Sequence, residues 1–209
     1  MLSAANTAHT VVVKHGAGNL FLSNGSDLAL DTDTKSVLLR RAGINFYEVT
    51  RSGIPSYILL THEEADTTDG GATTAGSWQI RTVNTKTHDP DGVVVSLAAN
   101  VFTLPAGTYE TDITALFAGQ NGHWQMRLYD TTGAATILGP GMSAQEGTIN
   151  TQICNTNVFL KGIFTIAVQS AIRLEYFASV AVAGNGQGDA SAQLAGMERY
   201  VEIMLRKVA

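Results

Sequence analysis

Histidine and cysteine are the residues that most often bind metal ions or act as nucleophiles, and this chain contains five histidines and one cysteine. The histidines are His9, His15, His62, His88 and His123. No pair has the His-x-x-x-His spacing with which two imidazoles reach one zinc ion. Cys154 is alone, so the chain can form neither an internal disulfide nor a cysteine-based metal site. We expect the histidines in turns or on the surface, the cysteine in the core, and no cofactor.

Three acidic segments offer carboxylates to a metal ion or to acid/base chemistry. On a strand His62 and Glu64 would share one face, and we interpret this segment as a solvated strand end. The loops Asp66–Gly70 and Asp89–Gly92 each combine two carboxylates with glycine, and calcium takes about six to eight oxygen ligands. Neither loop has the Asp-x-Asp-x-Asp-Gly spacing of a calcium loop. We therefore favour ordinary turns and keep calcium binding as the alternative.

Nothing in the sequence frames a catalytic nucleophile. The Gly-x-Ser-x-Gly pattern, which exposes a serine on a sharp strand-to-helix turn, is absent. The paired carboxylates of a glycosidase depend on separation in space, so a glycan depolymerase stays an alternative. Trp78 and Trp124 alternate with polar residues on predicted strands, which favours core positions over exposed platforms for sugars. We predict that the protein is not an enzyme.

Two polar, glycine-rich loops are the places where we expect a ligand surface. They span Gly119–His123 and Gly184–Asp189. The candidate ligand-facing residues are Gln120, Asn121, His123, Asn185, Gln187 and Asp189. Binding residues are often carried on loops, but such loops also serve as plain connections, and that alternative stays open.

The low charge of the chain limits its possible partners. Only 15% of the residues are charged, against about 25% in an average soluble domain, and the net charge is −5. The basic pairs Arg40-Arg41 and Arg206-Lys207 do not extend into the stripe that nucleic-acid binding needs. No apolar run approaches about 18 residues, which predicts no membrane span. The first residues lack the pattern of a signal peptide, so we expect synthesis in a cytosol followed by assembly.

Short β-strands are predicted along the whole chain, because Val- and Thr-rich segments alternate with glycine-rich turns. The first part forms a meander of hairpins that contains the strong turn signal Asn24-Gly25. Each of these strands is too short to be stable alone. Pro55 ends a polar stretch that is typical of a domain boundary. We predict two domains, residues 1–54 and residues 55–209.

The second domain has about eight to ten predicted strands at the spacing of a β-sandwich. Strands are predicted at Val93–Leu97, Phe159–Thr165 and Ile172–Phe177, among others. Residues 197–208 fit a helical face and a strand face equally well, and the β-rich surroundings favour a strand. Short connections predict antiparallel pairing in two stacked sheets. The predicted fold class is all-β, with a small meander followed by a jelly roll.

Three stretches of the second domain resemble a known viral fold. They are Gly76–Asn84, Phe102–Tyr109 and Gln125–Asp130. Together they resemble the jelly-roll domain of tailed-phage fibre and decoration proteins, which is similar to the tumour-necrosis-factor and complement-globular-head fold. The resemblance implies a parallel homotrimer in which the last strand, Tyr200–Leu205, runs through the middle of a sheet.

The first domain has a likeness of its own. Val11–Asn19, Gly25–Leu28 and Asn45–Val49 resemble a short β-module of phage tail fibres, with Phe46 where that module commonly has Trp. This resemblance implies that residues 1–54 attach to other virion proteins and that the head meets a host glycan or protein. It implies a non-catalytic virion protein, made in the host cytoplasm, that acts as a tail-fibre or receptor-binding tip. A trimer that decorates the capsid is the alternative.

Overall fold

The computed structural model describes residues 2–3, 11–16, 18–21, 28–30, 36–52, 57–119, 122–145, 155–191 and 196–208. All regular secondary structure within these ranges is β. The chain divides into two compact units, Met1–Pro55 and Ser56–Ala209. The described part contains no helix that is long and apolar enough to cross a membrane. The roles assigned above to the two domains stay predictions.

Short strands make up the described part of the first unit. They are β1 (Leu2–Ser3), β2 (Val11–Val13), β3 (Leu20–Phe21), β4 (Leu28–Leu30), β5 (Ser36–Ala42) and β6 (Asn45–Ser52). One sheet has the order β1-β5-β6-β3, and β2 pairs with β4 in a separate ladder. Val13 and Val37 are buried, with Leu20 and Leu39 packed against them. Such a small cluster buries little apolar area, so these strands gain little stability from it.

The second unit contains two larger sheets. The first is five-stranded, in the order β16-β12-β18-β7-β9. The second is seven-stranded: its main path is β10-β11-β17-β13-β14, with β8 beside β17 and β15 beside β13. The strands are β7 (Ile58–Glu64), β8 (Trp78–Ile80), β9 (Thr85–His88), β10 (Ser96–Ala98), β11 (Val101–Leu104), β12 (Gly107–Ala118), β13 (His123–Asp130), β14 (Ala135–Leu138), β15 (Ala144–Gln145), β16 (Asn155–Ile166), β17 (Ser170–Ala178) and β18 (Glu198–Lys207).

Consecutive long strands of this unit alternate between the two sheets. The chain passes from β12 to β13 and again from β16 to β17 by crossing from the five-stranded to the seven-stranded sheet. The ladders between the strands of this unit are antiparallel. Crossing connections and antiparallel pairing are the properties of a jelly roll. The predicted all-β jelly-roll fold is therefore confirmed.

The ambiguous segment near the end of the chain is a strand. β18 lies in the centre of the five-stranded sheet, between β12 and β7. Val201, Ile203 and Leu205 are buried, whereas Glu202 and Met204 between them are exposed. This period of two fits a strand whose one face meets the core. The sequence pattern alone could not distinguish a helix from a strand here, whereas pairing with a neighbouring strand on each side shows a strand.

The core lies between the inner faces of the two sheets. Side chains from both sheets are fully buried there, including Phe102, Ile113, Phe117, Trp124 and Leu174. The rings of Phe117 and Trp124 stack with centroids 5.9 Å apart. Each such side chain contributes about 1.5–3 kcal/mol by leaving water. The prediction that Trp124 is a core residue is confirmed.

Candidate functional site

The predicted ligand-facing residues fall into three groups. Gln120 and Asn121 lie outside the described residues. His123 begins β13 and is exposed, and its backbone N–H donates to Ser179 Oγ at 3.0 Å. Asn185, Gln187 and Asp189 all lie in the segment that follows β17. The structure describes the geometry of this last group in full.

Asn185 and Asp189 bind to each other and to the neighbouring strand β16. Asn185 Nδ2 donates to Asp189 Oδ1 at 2.6 Å. The backbone N–H of Asp189 donates to Asn155 Oδ1 at 2.8 Å, and Asn155 Nδ2 donates back to the Asp189 carbonyl at 2.9 Å. Gly188 N donates to the Asn185 carbonyl, which closes the turn. The tip of the loop is thus fixed by its own hydrogen bonds, and contact with a ligand stays a prediction.

Gln187 is buried, with only 8% of its surface exposed. Its side-chain Nε2 donates to the Ala72 carbonyl at 2.9 Å, and its Oε1 accepts a hydrogen bond from Arg81 Nη1. Its backbone N–H donates to the Gly71 carbonyl at 2.8 Å. The side chain therefore anchors the loop to the interior of the unit rather than facing solvent, because a completely buried arginine lies beneath it.

Arg81 is the centre of this anchor. Its Nη2 donates to the backbone carbonyls of Gln187 at 2.6 Å, Leu116 at 3.2 Å and Tyr200 at 3.3 Å. Its Nη1 also lies 3.4 Å from His62 Nδ1. No carboxylate among the described residues pairs with it, and its Nε is buried without a hydrogen-bond partner there. Backbone carbonyl dipoles and one glutamine oxygen thus stabilise the buried positive charge, which an acidic side chain usually does.

The pKa values of the buried cluster are shifted because its side chains are removed from water. Burial lowers the pKa of the Arg81 guanidinium to about 9, which still leaves it charged at neutral pH. Burial, together with the Arg81 charge, lowers the pKa of His62, while the hydrogen bond from its Nε2 to Glu64 Oε1 at 3.0 Å opposes that shift. A neutral imidazole beside the guanidinium avoids placing two like charges together.

The interpretation of His62 as part of a solvated strand end is wrong. Its exposed fraction is 1%, because its ring packs against the Arg81 guanidinium and the Tyr200 ring on that face of the sheet. The expectation of a surface histidine does hold for His88 and His123, which are exposed. The sequence signal for the cluster is an arginine directly after the apolar strand β8 together with a histidine within the apolar strand β7, because a buried charge needs polar partners.

Close backbone packing holds the same loop against β18. A Cβ atom at Gly188 would lie 2.2 Å from Tyr200 Cδ1, and one at Gly70 would lie 2.4 Å from the Gln187 carbonyl oxygen. Tyr200 Oη donates to the Thr68 carbonyl at 2.6 Å, and burial raises the pKa of that phenol. Glycine is required at positions 70 and 188 because any side chain would collide. The loop is therefore ordered before any ligand arrives.

A second polar cluster covers the outer face of the seven-stranded sheet. Glu175 accepts from Arg127 at 2.6 Å and from Arg173 at 2.7 Å. The Arg127 guanidinium lies over the Trp78 ring at 4.3 Å, and both guanidiniums lie over the Tyr129 ring at 4.9 and 5.0 Å. We call these five residues the arginine ladder. Its side-chain pairs were not predicted from the sequence.

The ladder also corrects the prediction that Trp78 is a core residue. Trp78 pairs with Phe177, and Phe177 pairs with Gln125, so all three point to the outer face of the sheet. Ile80 shares that face and is exposed. Trp78 does alternate with polar residues along its strand, but the face that it occupies is the outward one.

The acidic loops use their carboxylates on the backbone. Asp89 Oδ1 and Oδ2 accept from the N–H groups of Val93 at 2.8 Å and Val94 at 3.1 Å. These bonds draw residues 93 and 94 into the turn, so the strand predicted over Val93–Leu97 starts only at Ser96. Asp69 Oδ1 accepts from the Ala190 N–H at 3.0 Å. Among the described residues no three His, Cys, Asp or Glu side chains group closely enough to hold a metal ion.

A shallow groove of about 790 Å³ runs between the segment after β14 and the edge strand β16. It is lined by Leu138, Gly139, Pro140, Gly141, Met142, Phe159, Leu160 and Lys161. The lining is mostly apolar, and Met142 and Phe159 are exposed in it. The groove carries none of the predicted site residues.

Comparison with known proteins adds one structural likeness. No family model matches the chain, and no curated protein sequence matches it. Among solved structures it is similar to the globular domain of a zebrafish complement 1qA protein, with 15% sequence identity and a TM-score of 0.43. The match covers 75% of this chain and 98% of that one. The jelly roll of this chain is defined by its own strand order.

Proposed function

We propose that this chain is a non-catalytic structural protein of a bacteriophage virion that acts as a homotrimeric tail-fibre tip. In this proposal residues 1–54 attach to other virion proteins, and the jelly roll of residues 55–209 meets a glycan or protein of the host surface. Support comes from the sequence resemblances of both domains and from their order along the chain. The observation that carries the proposal is the outer face of the five-stranded sheet.

That outer face presents apolar side chains to solvent. Ile163 is 62% exposed, and Phe159 and Met204 are also exposed on this face. The register places them on one face, since Ile163 pairs with Glu110 and both Phe159 and Met204 lie opposite outward-facing residues of β12. Exposed apolar side chains on one face of a sheet mark a candidate interaction surface. We call this surface the self-association face.

The edge of the same sheet also needs a cover. β16 is twelve residues long and lies at the edge, and a long exposed edge strand invites pairing with other chains. Charged pairs lie between the apolar side chains: Lys161 Nζ lies 2.6 Å from Asp112 Oδ2, and Arg206 pairs with Glu110. Non-obligate protein interfaces are about as polar as the rest of a protein surface, so a face that mixes apolar and charged side chains is compatible with one. A closed threefold assembly would cover this face in every subunit without leaving a free one.

Several carboxylates that could serve an acid/base reaction are already engaged. Glu175 is held by two arginines, and Glu63 accepts from Arg199 at 2.7 Å. Asp89 and Asp189 bind backbone and amide groups within their loops. Engagement of these groups in structural contacts supports a binding role over catalysis. Detectable hydrolysis of a host polysaccharide by the purified protein would contradict this part of the proposal.

The trimer is tested by the Ile163→Asp substitution. An aspartate at position 163 would lose its hydration when the face is buried between subunits, so we expect the variant to sediment as a monomer at micromolar concentration. Val168→Asp is the matched control, because Val168 is 61% exposed but lies in the turn after β16. A monomeric wild-type protein, or identical sedimentation of both variants, would remove the carrying observation.

The adhesive role and the position on the particle need separate measurements. Purified wild-type protein should bind host cells and compete with phage adsorption, and failure of both would refute the tail-tip role. The number of copies per particle distinguishes a tail fibre, with a handful of trimers, from a capsid decoration protein, with hundreds.

A further inference from the structure

The arginine ladder has a fixed geometry that its neighbours impose. Glu175, whose side chain is 2% exposed, lies between the two arginines and accepts hydrogen bonds from both. Arg127 Nη1 donates in addition to Thr136 Oγ1 at 3.0 Å. The rings of the ladder support the flat faces of the guanidiniums, which adds cation–π attraction. Little rotamer freedom is left to lose when a ligand binds.

Charge in the ladder is incompletely balanced. Two guanidiniums share one carboxylate, so the cluster carries one net positive charge in a chain whose net charge is −5. The side chains of Arg127 and Arg173 are 19% and 29% exposed, so water can reach them only in part. A partly dehydrated cation attracts an anion more strongly than a fully hydrated one. The ladder therefore favours an anionic partner.

The guanidinium of Arg173 has N–H donors that Glu175 does not occupy. Its Nε and Nη2 both point at Glu175 Oε1, which occupies one side of the guanidinium. A guanidinium carries five N–H groups, and its end, with one hydrogen on Nη1 and one on Nη2, forms a second fork. No acceptor among the described residues takes the hydrogens of Nη1. Such a fork matches the two oxygens of a carboxylate.

The location of the ladder leaves it accessible in the proposed trimer. It lies on the outer face of the seven-stranded sheet, and the self-association face is the outer face of the five-stranded sheet. The two outer faces of a sandwich point in opposite directions. Assembly through the self-association face would leave the arginine ladder accessible to the host surface.

We propose that the arginine ladder binds a carboxylate-bearing saccharide of the host surface, with Arg173 holding the carboxylate. The apolar C–H face of the sugar ring packs beside the aromatic residues of the ladder and Ile80. This inference rests on the proposed adhesive function and names the ligand class and the site. Weak binding at each subunit is multiplied by the three copies of one trimer.

The two tryptophans provide a direct readout in the wild-type protein. Trp78 belongs to the ladder, whereas Trp124 is completely buried in the core. We would label the indole nitrogens of the full chain with ¹⁵N and titrate it with trigalacturonate and, separately, with neutral galactotriose. We expect the Trp78 indole resonance to shift with trigalacturonate alone and the Trp124 resonance to stay in place. No shift with trigalacturonate and with sialyllactose at millimolar concentrations overturns the proposal.

A variant tests the role of the fork. Arg173→Lys keeps the charge but replaces the planar fork by a point donor, and we expect an affinity loss of about tenfold or more. Arg41→Lys, at an exposed arginine of the other unit, should leave the affinity unchanged. Equal binding by Arg173→Lys, or equal binding of a sulfated galactose trisaccharide, overturns the assignment of a carboxylate fork. The wild-type titration decides the question if the variant does not fold.

The same variant separates this inference from the proposed function. If Arg173→Lys competes with phage adsorption as well as the wild type does, the ladder is not the site although the protein is adhesive. If the wild-type protein does not compete at all, the adhesive function itself is wrong.

Discussion

Replacing Gln187 by methionine should release the loop that follows β17 from its buried anchor. Methionine has a similar length and no hydrogen-bonding amide, so Gln187→Met removes polar contacts without opening a large cavity. The bond from Arg81 Nη1 involves a charged donor and is worth about 1.5–3 kcal/mol, and the bond to the Ala72 carbonyl is worth about 1 kcal/mol. We expect the free energy of unfolding to fall by about 3 kcal/mol.

A double-mutant cycle with Arg81→Met isolates the contact between the two side chains. Arg81→Met alone leaves the carbonyls of Leu116, Gln187 and Tyr200 without their donor, but it also removes a buried charge, so we expect a loss of about 3 kcal/mol. Because either substitution breaks the same side-chain bond, the double variant should lose about 2 kcal/mol less than the two single losses combined.

The assay is guanidinium-induced unfolding at pH 7 and one fixed protein concentration, followed by tryptophan fluorescence. Gln125→Met is the control, because Gln125 lies on the outer face of β13 and donates to Ser143 Oγ there; its effect should stay within about 0.5 kcal/mol. Amide exchange of Gly70, which donates to the Gly188 carbonyl, should accelerate in Gln187→Met. A coupling energy below about 0.5 kcal/mol, or an Arg81→Met protein as stable as wild type, would refute the reasoning.

Three further substitutions test the packing and charge of single buried positions. Gly188→Ala should destabilise the protein by about 2–4 kcal/mol, because Gly188 has φ +123° and its Cβ would strike Tyr200, whereas Gly184→Ala, with open space around it, should cost about 1 kcal/mol; thermal unfolding compares them. Glu175→Gln should cost about 1–3 kcal/mol in urea unfolding, since two half-shielded arginines lose their carboxylate, and the exposed-pair control Asp112→Asn should cost under about 0.5 kcal/mol. Burial raises the pKa of Tyr109 to about 12, so the phenol ionises more easily in the unfolded chain, where its pKa is about 10. The contribution of this pKa difference to the free energy of unfolding is therefore lost as the pH rises from about 10 towards 12. The stability advantage of wild type over Tyr109→Phe should therefore shrink by about 2 kcal/mol between pH 9 and pH 11.5, and a constant difference in unfolding free energy over that range would contradict the assignment.

Much of the architecture could be predicted because local alternation is strong where a strand has one buried face. The strands predicted at Phe159–Thr165 and Ile172–Phe177 lie within β16 and β17. In β12 every second residue from Tyr109 to Phe117 is buried, which is the same alternation. β10 begins three residues later than the sequence pattern predicts, since the carboxylate of Asp89 accepts hydrogen bonds from two backbone N–H groups that a strand would otherwise use.

The polar clusters could not be predicted to the same degree. Arg81 and Gln187 are 106 residues apart in sequence, and nothing local in either segment indicates that their side chains meet. The ladder likewise joins residues from β8, β13 and β17, which become neighbours only when the sheet is assembled. A hydrogen bond across such distances depends on strand order, which no short window of sequence contains.

Residue types and their period of two were enough to specify an all-β chain of antiparallel strands and to say which side chains of a strand lie together. They did not specify which of the two faces meets the core: Trp78 points outward and His62 points inward, both against expectation. Alternation defines two faces for every strand, but the strands and loops that pack on either side determine which face is buried from solvent. For this protein that choice placed Arg81, which has no carboxylate partner among the described residues, inside the fold and the arginine ladder on its surface.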